Sequence, residues 1–194
     1  MGGYGANAIV FLIQTIFSLY LIAIMVRFLL QLAHADFYNP VSQFLVKVTN
    51  PPLIPLRRVI PGFMGIDFAA VVLMLALKML ELFLILLLNG VSLSIPSIVV
   101  LSIAELLKLL INVYFFSILI QIIISWVNPG AYNPIVSLLH SINEPLLGRA
   151  RRLIPPISGF DLSPIIVIIG LQLILILFIA PIADLGTNLA NAGR

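Results

Sequence analysis

The 194-residue sequence predicts an all-α membrane protein of four transmembrane helices, arranged as two parallel two-helix repeats with a short amphipathic interfacial helix in each cytoplasmic loop. Composition is the first reason. Apolar residues make up 62 % of the chain and charged residues 9 %, with a mean hydropathy of +1.22. A soluble domain carries about 25 % charged residues, so this chain has too little polar surface to face water. Segment length is the second reason. A bilayer core of about 30 Å takes roughly 20 helical residues, and four apolar stretches reach that length, at about 7–32, 67–88, 98–127 and 162–183. The third is a duplication at an offset of 94 residues, which divides the chain into repeats at 1–94 and 95–194. Tyr38-Asn39-Pro40 returns as Tyr132-Asn133-Pro134, Arg57-Arg58 as Arg151-Arg152, Ile60-Pro61 as Ile154-Pro155, and Gly65 with Asp67 as Gly159 with Asp161. Over 38–67 and 132–161, 12 of 30 paired positions are identical without a gap.

The first span is uncharged through Val26, which leaves no basic region for a cleavable signal peptide, so it is expected to stay in the mature protein. Arg27 follows at its inner end, where a long cation is expected to snorkel toward the headgroups. In the loop, Asn39 before Pro40 reads as an N-cap followed by proline at the first helical position. Val41, Phe44, Leu45 and Val48 continue at helical spacing, predicting an amphipathic helix of about three turns that Pro51 stops. Leu53–Ile60 returns the arginine pair to headgroup level, Gly65 offers a sharp turn, and Asp67 sits where the next helix needs an N-cap. The second span then runs to Asn89-Gly90, and a short connection to Pro96 makes an outer turn. The second repeat reads likewise. Asn133 and Pro134 start its loop helix, Ile135, Leu138, Leu139 and Ile142 form the stripe, Pro145 stops it, and Asp161 caps the fourth span. An even number of crossings per unit puts both copies in one orientation about a pseudo-twofold axis along the membrane normal.

The net charge of +3 has a membrane geometry and is no nucleic-acid signal. Lys47, Arg57 and Arg58 in loop 33–66, Arg149, Arg151 and Arg152 in loop 128–161, and Arg27 place seven of ten basic residues at one face. The positive-inside rule assigns that face to the cytoplasm, and both termini then face outward. With no cysteine, the chain has no disulfide, thiol redox chemistry or covalent haem attachment of its own.

Ionisable side chains inside a span cost about 2.5–3.5 kcal/mol each near the centre, so Lys78 and Glu81 in the second span and Glu105 and Lys108 in the third stand out. Both pairs have i,i+3 spacing, which puts each on one helix face. Folding the hairpin about residue 93 sets Lys78 level with Lys108 and Glu81 level with Glu105, so diagonal pairing across the hairpin would neutralise all four. One reading is an electroneutral clasp that specifies helix packing; the other is a proton or ion relay. Two features favour the clasp: the charges sum to zero, and the other copies have Gln172, Leu175, Phe11 and Gln14 instead. Arg57, Arg58, Arg151 and Arg152 recur in both repeats. They serve either as topology-setting charge on anionic lipid headgroups or as docking points for a membrane or cytoplasmic protein, through the bidentate geometry that lysine lacks. Gln14, Asn112, Gln121 and Gln172 are expected interhelical hydrogen-bonding groups, and Trp126 an interfacial anchor. His34 and His140 are not paired by the repeat. With no metal-ligand spacing, phosphate-cradling loop or nucleophile–base–acid set in the sequence, no enzyme, cofactor or metal site is expected.

Ser125-Trp126-Val127-Asn128-Pro129-Gly130, Tyr132-Asn133-Pro134, Glu144-Pro145-Leu146-Leu147, Arg151-Arg152-Leu153-Ile154-Pro155-Pro156 and Asp161-Leu162-Ser163-Pro164 resemble the repeat of the YggT (YlmG) family. The first copy matches more loosely, with Asn50-Pro51-Pro52 and Phe68-Ala69-Ala70 in place of two elements. The resemblance covers essentially the whole chain as two tandem units. It implies a bacterial inner-membrane protein, with roles around cell division, osmotic or potassium stress, and, for plastid relatives, haem attachment to a cytochrome. No catalytic residue carries over. The expected function is a non-enzymatic scaffold or assembly factor acting through the arginine-bearing loops, with a monomer and an oligomer both open; the alternative is a transporter or channel-like protein using the Lys/Glu group.

Overall fold

The computed structural model describes residues 3–63, 65–91, 94–128, 130, 133–154 and 161–192. Its elements are α1 (Tyr4–Leu32), α2 (Pro40–Val59), α3 (Phe68–Leu88), α4 (Ile95–Val127), α5 (Pro134–Leu153), α6 (Ser163–Ile174) and α7 (Ala180–Ala192). A π-helical turn at Leu175–Ile179 joins the last two into one rod. Helices α1, α3 and α4 and this rod are each long and apolar enough to cross a bilayer, so the chain is an all-α multi-pass membrane protein.

The spans run longer than hydropathy alone marks. Helix α1 begins at Tyr4 instead of 7, α4 at Ile95 instead of 98, and the fourth span continues to Ala192 instead of ending near 183. Helix α4 has 33 residues and so reaches about 50 Å, well past a bilayer core of about 30 Å. Pro181 accounts for the π turn. It removes the donor for the Leu177 carbonyl and its ring crowds the preceding turn. The helix widens there, and the Ala180 N–H reaches back five residues to the Leu175 carbonyl.

Helix α7 lies along the start of α4. The buried Ser97 hydroxyl donates to the Gly186 carbonyl at 2.7 Å, and a Cβ on Gly186 would stand 2.8 Å from Leu101 Cδ2. Close backbone approach through a small residue is how helices pack in lipid, where burial alone drives nothing. Gly186→Val is therefore expected to destabilise the purified protein by roughly 1–3 kcal/mol, read as a lower melting temperature, and Leu101→Ala in the same chain to restore most of it.

Helix ends follow from local chemistry. After α3, the Val91 N–H bonds the Leu86 carbonyl at 3.0 Å and the Gly90 N–H the Leu87 carbonyl at 3.3 Å, with Gly90 at φ 65°. This is the Schellman closure that favours glycine. Helix α1 closes the same way with His34 at φ 51°. Gly65, at φ 81°, makes the sharp turn expected before α3; its counterpart Gly159 lies outside the described residues.

Helices α2 and α5 are strongly amphipathic and each 20 residues long, not three turns. Pro51, Pro52, Pro55 and Pro145 lie inside them instead of stopping them. Each proline frees the carbonyl four residues back, and a helix lying against the bundle offers such carbonyls other donors. The Tyr20 hydroxyl lies 3.4 Å from the Val48 carbonyl, the one that Pro52 leaves free. The expected stripe also divides. Leu45 and Leu53 of α2 are buried with Ser42 and Thr49, whereas Phe44 and Val48 face outward.

The two repeats pack unequally. Helix α3 meets α4 across the repeat boundary, but among the described residues the counterpart contact of α6 with α1 does not occur. The expected pseudo-twofold is thus incomplete. The short α3–α4 connection tethers one pair of helices, and no chain link tethers the other. Both loop helices nevertheless lie at one end of the bundle: α2 touches α5, and the Asn39 side-chain amide donates to the Pro134 carbonyl at 2.7 Å.

Candidate functional site

The duplicated residues converge at that end. Asn39 caps α2 by accepting from the Val41 N–H at 2.9 Å, and Asn133 caps α5 by accepting from the Val136 N–H at 3.0 Å. Pro40 and Pro134 occupy the first helical turns, as expected. Asp67 caps α3 through the Ala70 N–H. Asp161 accepts from the Ser163 N–H at 2.9 Å, one residue ahead of the N-cap Leu162. Pro61 is exposed just beyond α2; Tyr132 and Pro155 lie outside the described residues.

The arginine pairs divide their labour identically in both repeats. The first arginine turns inward to the aspartate ten residues on. Arg57 donates through Nε to Asp67 Oδ2 at 3.2 Å and pairs with it again through Nη2. Arg151 donates through Nε to Asp161 Oδ2 at 2.9 Å and through Nη1 to Glu144 Oε2 at 2.9 Å. Each clamp ties the end of the loop helix to the start of the next span. The second arginine, half-buried Arg58 in one repeat and exposed Arg152 in the other, makes no hydrogen bond or ion pair among the described residues. Beside it stands an exposed aliphatic side chain, Val59 in one repeat and Leu153 in the other, each 81 % exposed.

The clamp in the second repeat is pH-sensitive. Burial pushes the Asp161 carboxyl up, but hydrogen bonds from Ser163 and Arg151 more than reverse this and hold it below the usual carboxylate range. The Arg151 guanidinium is pushed up, chiefly by its hydrogen bond to Asp161. A depressed carboxyl stabilises the fold above its unfolded value of about 3.9 and loses that contribution as pH falls through the folded value. The melting temperature is expected to fall on the acid side below about pH 4, and Asp161→Asn to flatten that limb. An unchanged acid limb would mean that the clamp does not form.

A second joint lies one turn deeper. Arg27 does not snorkel. It is buried and donates to Thr49 Oγ1 and to Asn50 Oδ1 at 2.8 Å. Ninety-four residues on, the positions of Arg27 and Thr49 hold Gln121 and Asn143. There the Asn143 amide donates to Gln121 Oε1 at 2.7 Å and the Ser117 hydroxyl to Asn143 Oδ1 at 2.6 Å. The repeat thus keeps a buried polar joint between spanning helix and loop helix while changing both residues. Identity comparison misses it, and only the shared offset could have revealed it. Asn143→Leu removes the donor to Gln121 Oε1 and the acceptor facing the Ser117 hydroxyl, which keeps the Tyr114 carbonyl at 2.9 Å, and is expected to cost about 1–2 kcal/mol, read as a drop in melting temperature.

The four intramembrane charges do not pair diagonally. Lys78 Nζ lies 3.0 Å from Glu81 Oε2 within α3, and Lys108 Nζ lies 3.7 Å from Glu105 Oε1 within α4. The i,i+3 spacing already supplies a partner on the same helix, so each pair closes locally. They differ in setting: the Glu81 side chain is 3 % exposed, whereas those of Glu105 and Lys108 are 42 and 51 % exposed. The two histidines line separate clefts, His34 with Arg27 and Arg57, His140 with Arg151 and Asp161. Gln121 and His140 are within hydrogen-bond distance of each other, 3.1 Å. Trp126 is exposed at the C-terminal end of α4. Among the described residues, no group of three or more His, Asp or Glu could hold a metal ion.

Comparison with known proteins agrees with the duplication. The CCB3/YggT family model matches twice, at residues 6–88 and 100–182. A protein from Pseudomonas aeruginosa is 46 % identical over 179 residues, covering 91 % of each chain. One from Vibrio alginolyticus is 43 % identical, covering 86 % of this chain and 90 % of its own. The uncharacterised protein YggT of Escherichia coli K12 is 39 % identical, covering 87 % of each. No solved structure matches significantly. Two family units in tandem, on a four-span helical chain, make this protein a member of the CCB3/YggT family.

Proposed function

We propose that this protein is a non-enzymatic scaffold or assembly factor of the bacterial inner membrane, holding a partner protein through the second arginine of each loop. One observation carries the reading: half-buried Arg58 and exposed Arg152 make no internal ion pair among the described residues and each adjoins an exposed aliphatic side chain, Val59 or Leu153, at the same end of the bundle, while Arg57 and Arg151 are held in internal clamps. An arginine with a neighbouring aliphatic, presented twice, offers a partner a bidentate charge contact and an apolar foothold. Lys47 and Arg149, also exposed on these helices, make the face basic. By the positive-inside rule it faces the cytoplasm, with both termini in the periplasm.

Site-directed crosslinking from positions 58 and 152 in cells tests this. A specific protein adduct is expected from both, lost on joint Arg58→Ala and Arg152→Ala substitution while the membrane level of the protein stays unchanged. Adducts to lipid alone would reduce the loops to topology-setting charge. The reading also expects no potassium or proton flux in liposomes, because the Lys/Glu charges close within their own helices. Flux abolished by Glu81→Gln would replace the scaffold with a transporter.

A further inference from the structure

A groove of about 580 Å³ runs between α1 and α4 at the junction of the repeats. Its walls are repeat-matched: Ser18 faces the same space as Asn112, Ile22 as Phe116, and Val26 as Ile120, each pair 94 residues apart. At its deep end lie Lys78, Glu105 and Lys108. Lys78 is already satisfied by Glu81. Glu105 and Lys108 are not comparably enclosed. They are the eleventh and fourteenth residues of the 33-residue α4, well inside the span, yet about half of each side chain is open and their separation is a loose 3.7 Å. Charge at that depth is costly against hydrocarbon, and a half-covered pair recovers little of its desolvation. Something with matching charge belongs over it.

We propose that a second copy of this chain covers the groove, in a twofold dimer whose axis lies along the membrane normal. Such an axis keeps equivalent residues at equal depth. The charge pattern is then self-complementary: Glu105 of one copy meets Lys108 of the other one helical turn away, and the converse pair forms at the same time. Each charge gains a second opposite neighbour without any change of sequence. Phe116 and Ile120, 56 and 44 % exposed on the same face, supply the apolar contact toward the cytoplasmic end. Acyl chains could coat the apolar part but carry no charge to set against Glu105 and Lys108.

The cysteine-free chain allows a direct test in native membranes. Phe116→Cys and Ile120→Cys, each alone, are expected to form disulfide-linked dimers on mild oxidation, whereas Ile165→Cys and Leu173→Cys on the exposed face of α6 are not. Adding Glu105→Lys or Lys108→Glu to Phe116→Cys makes each homodimer repulsive and should lower crosslinking about tenfold, a loss of about 1.4 kcal/mol. Co-expressing these two variants with different tags should restore crosslinking between tags, which also shows that both have folded. Absence of crosslinks at 116 and 120 would overturn the proposal. So would equal crosslinking at 165 and 173, indifference to the charge changes, or capture of a different protein in the groove.

Discussion

Arg57→Ala is expected to lower the stability of the detergent-purified protein by about 3 kcal/mol, far more than the same change one residue later. Asp67 is 4 % exposed. Besides Arg57 its only partner among the described residues is the Ala70 N–H at 3.3 Å. Removing the guanidinium leaves a buried carboxylate held by one backbone donor and the end of a helix dipole, and an uncompensated buried charge is the costly case. The wild-type Arg57 is itself about one-third exposed, which keeps the expected loss toward the lower end. Arg151→Ala should cost about 1 kcal/mol, because Asp161 and Glu144 are 35 and 57 % exposed and can turn to water. Arg58→Ala and Arg152→Ala should lie within about 0.5 kcal/mol of wild type. Four melting curves check this ordering. A loss at Arg58 equal to that at Arg57 would remove the division between clamp and free arginine.

The second large effect concerns Lys78 and Glu81. Glu81→Leu alone strands the Lys78 ammonium, whose side chain is 13 % exposed, inside an apolar span. The expected loss is about 3–5 kcal/mol, visible as a collapse in membrane yield. Adding Lys78→Leu should bring yield back close to wild type, since replacing a buried ion pair with apolar residues of similar size is often neutral or stabilising. Glu105 and Lys108 need not be touched. Diagonal pairing across the hairpin would have required all four changes for rescue, so the double variant distinguishes the two arrangements. Persistent failure of the double variant would mean that the pair makes a connection beyond α3.

The spans, the repeat and the loop helices were legible in the sequence because each rests on a short-range signal: hydropathy over about 20 residues, a constant offset, and the Asn-Pro start of a helix. The ends of elements were less so. Pro51 and Pro145 read as stops because the sequence hides which tertiary donors can meet the carbonyls that prolines free; the Tyr20 hydroxyl, near the Val48 carbonyl that the adjacent Pro52 frees, is one such donor. The rod beyond residue 183 depends on a π turn at Pro181 and on the seat of Gly186 against Leu101, which only packing reveals. Arg27 looked like a snorkelling cation because its partners Thr49 and Asn50 lie on another helix. The Arg-Arg motif announced a shared role, but nothing in two adjacent identical residues says which one faces Asp67. That follows from the helical turn between them, which points one side chain toward the next span and the other away.

On the proposed reading, doubling produced two clamped loops at one membrane face, with Arg58 and Arg152 both on the cytoplasmic side. Single-cysteine labelling at positions 58 and 152 tests it most directly, since the native chain contributes no thiol. An impermeant maleimide should leave both sites unmodified in intact spheroplasts and label both in inverted vesicles. Labelling of either site from the outside would contradict the claim, and labelling of only one would show that the two repeats face in opposite directions.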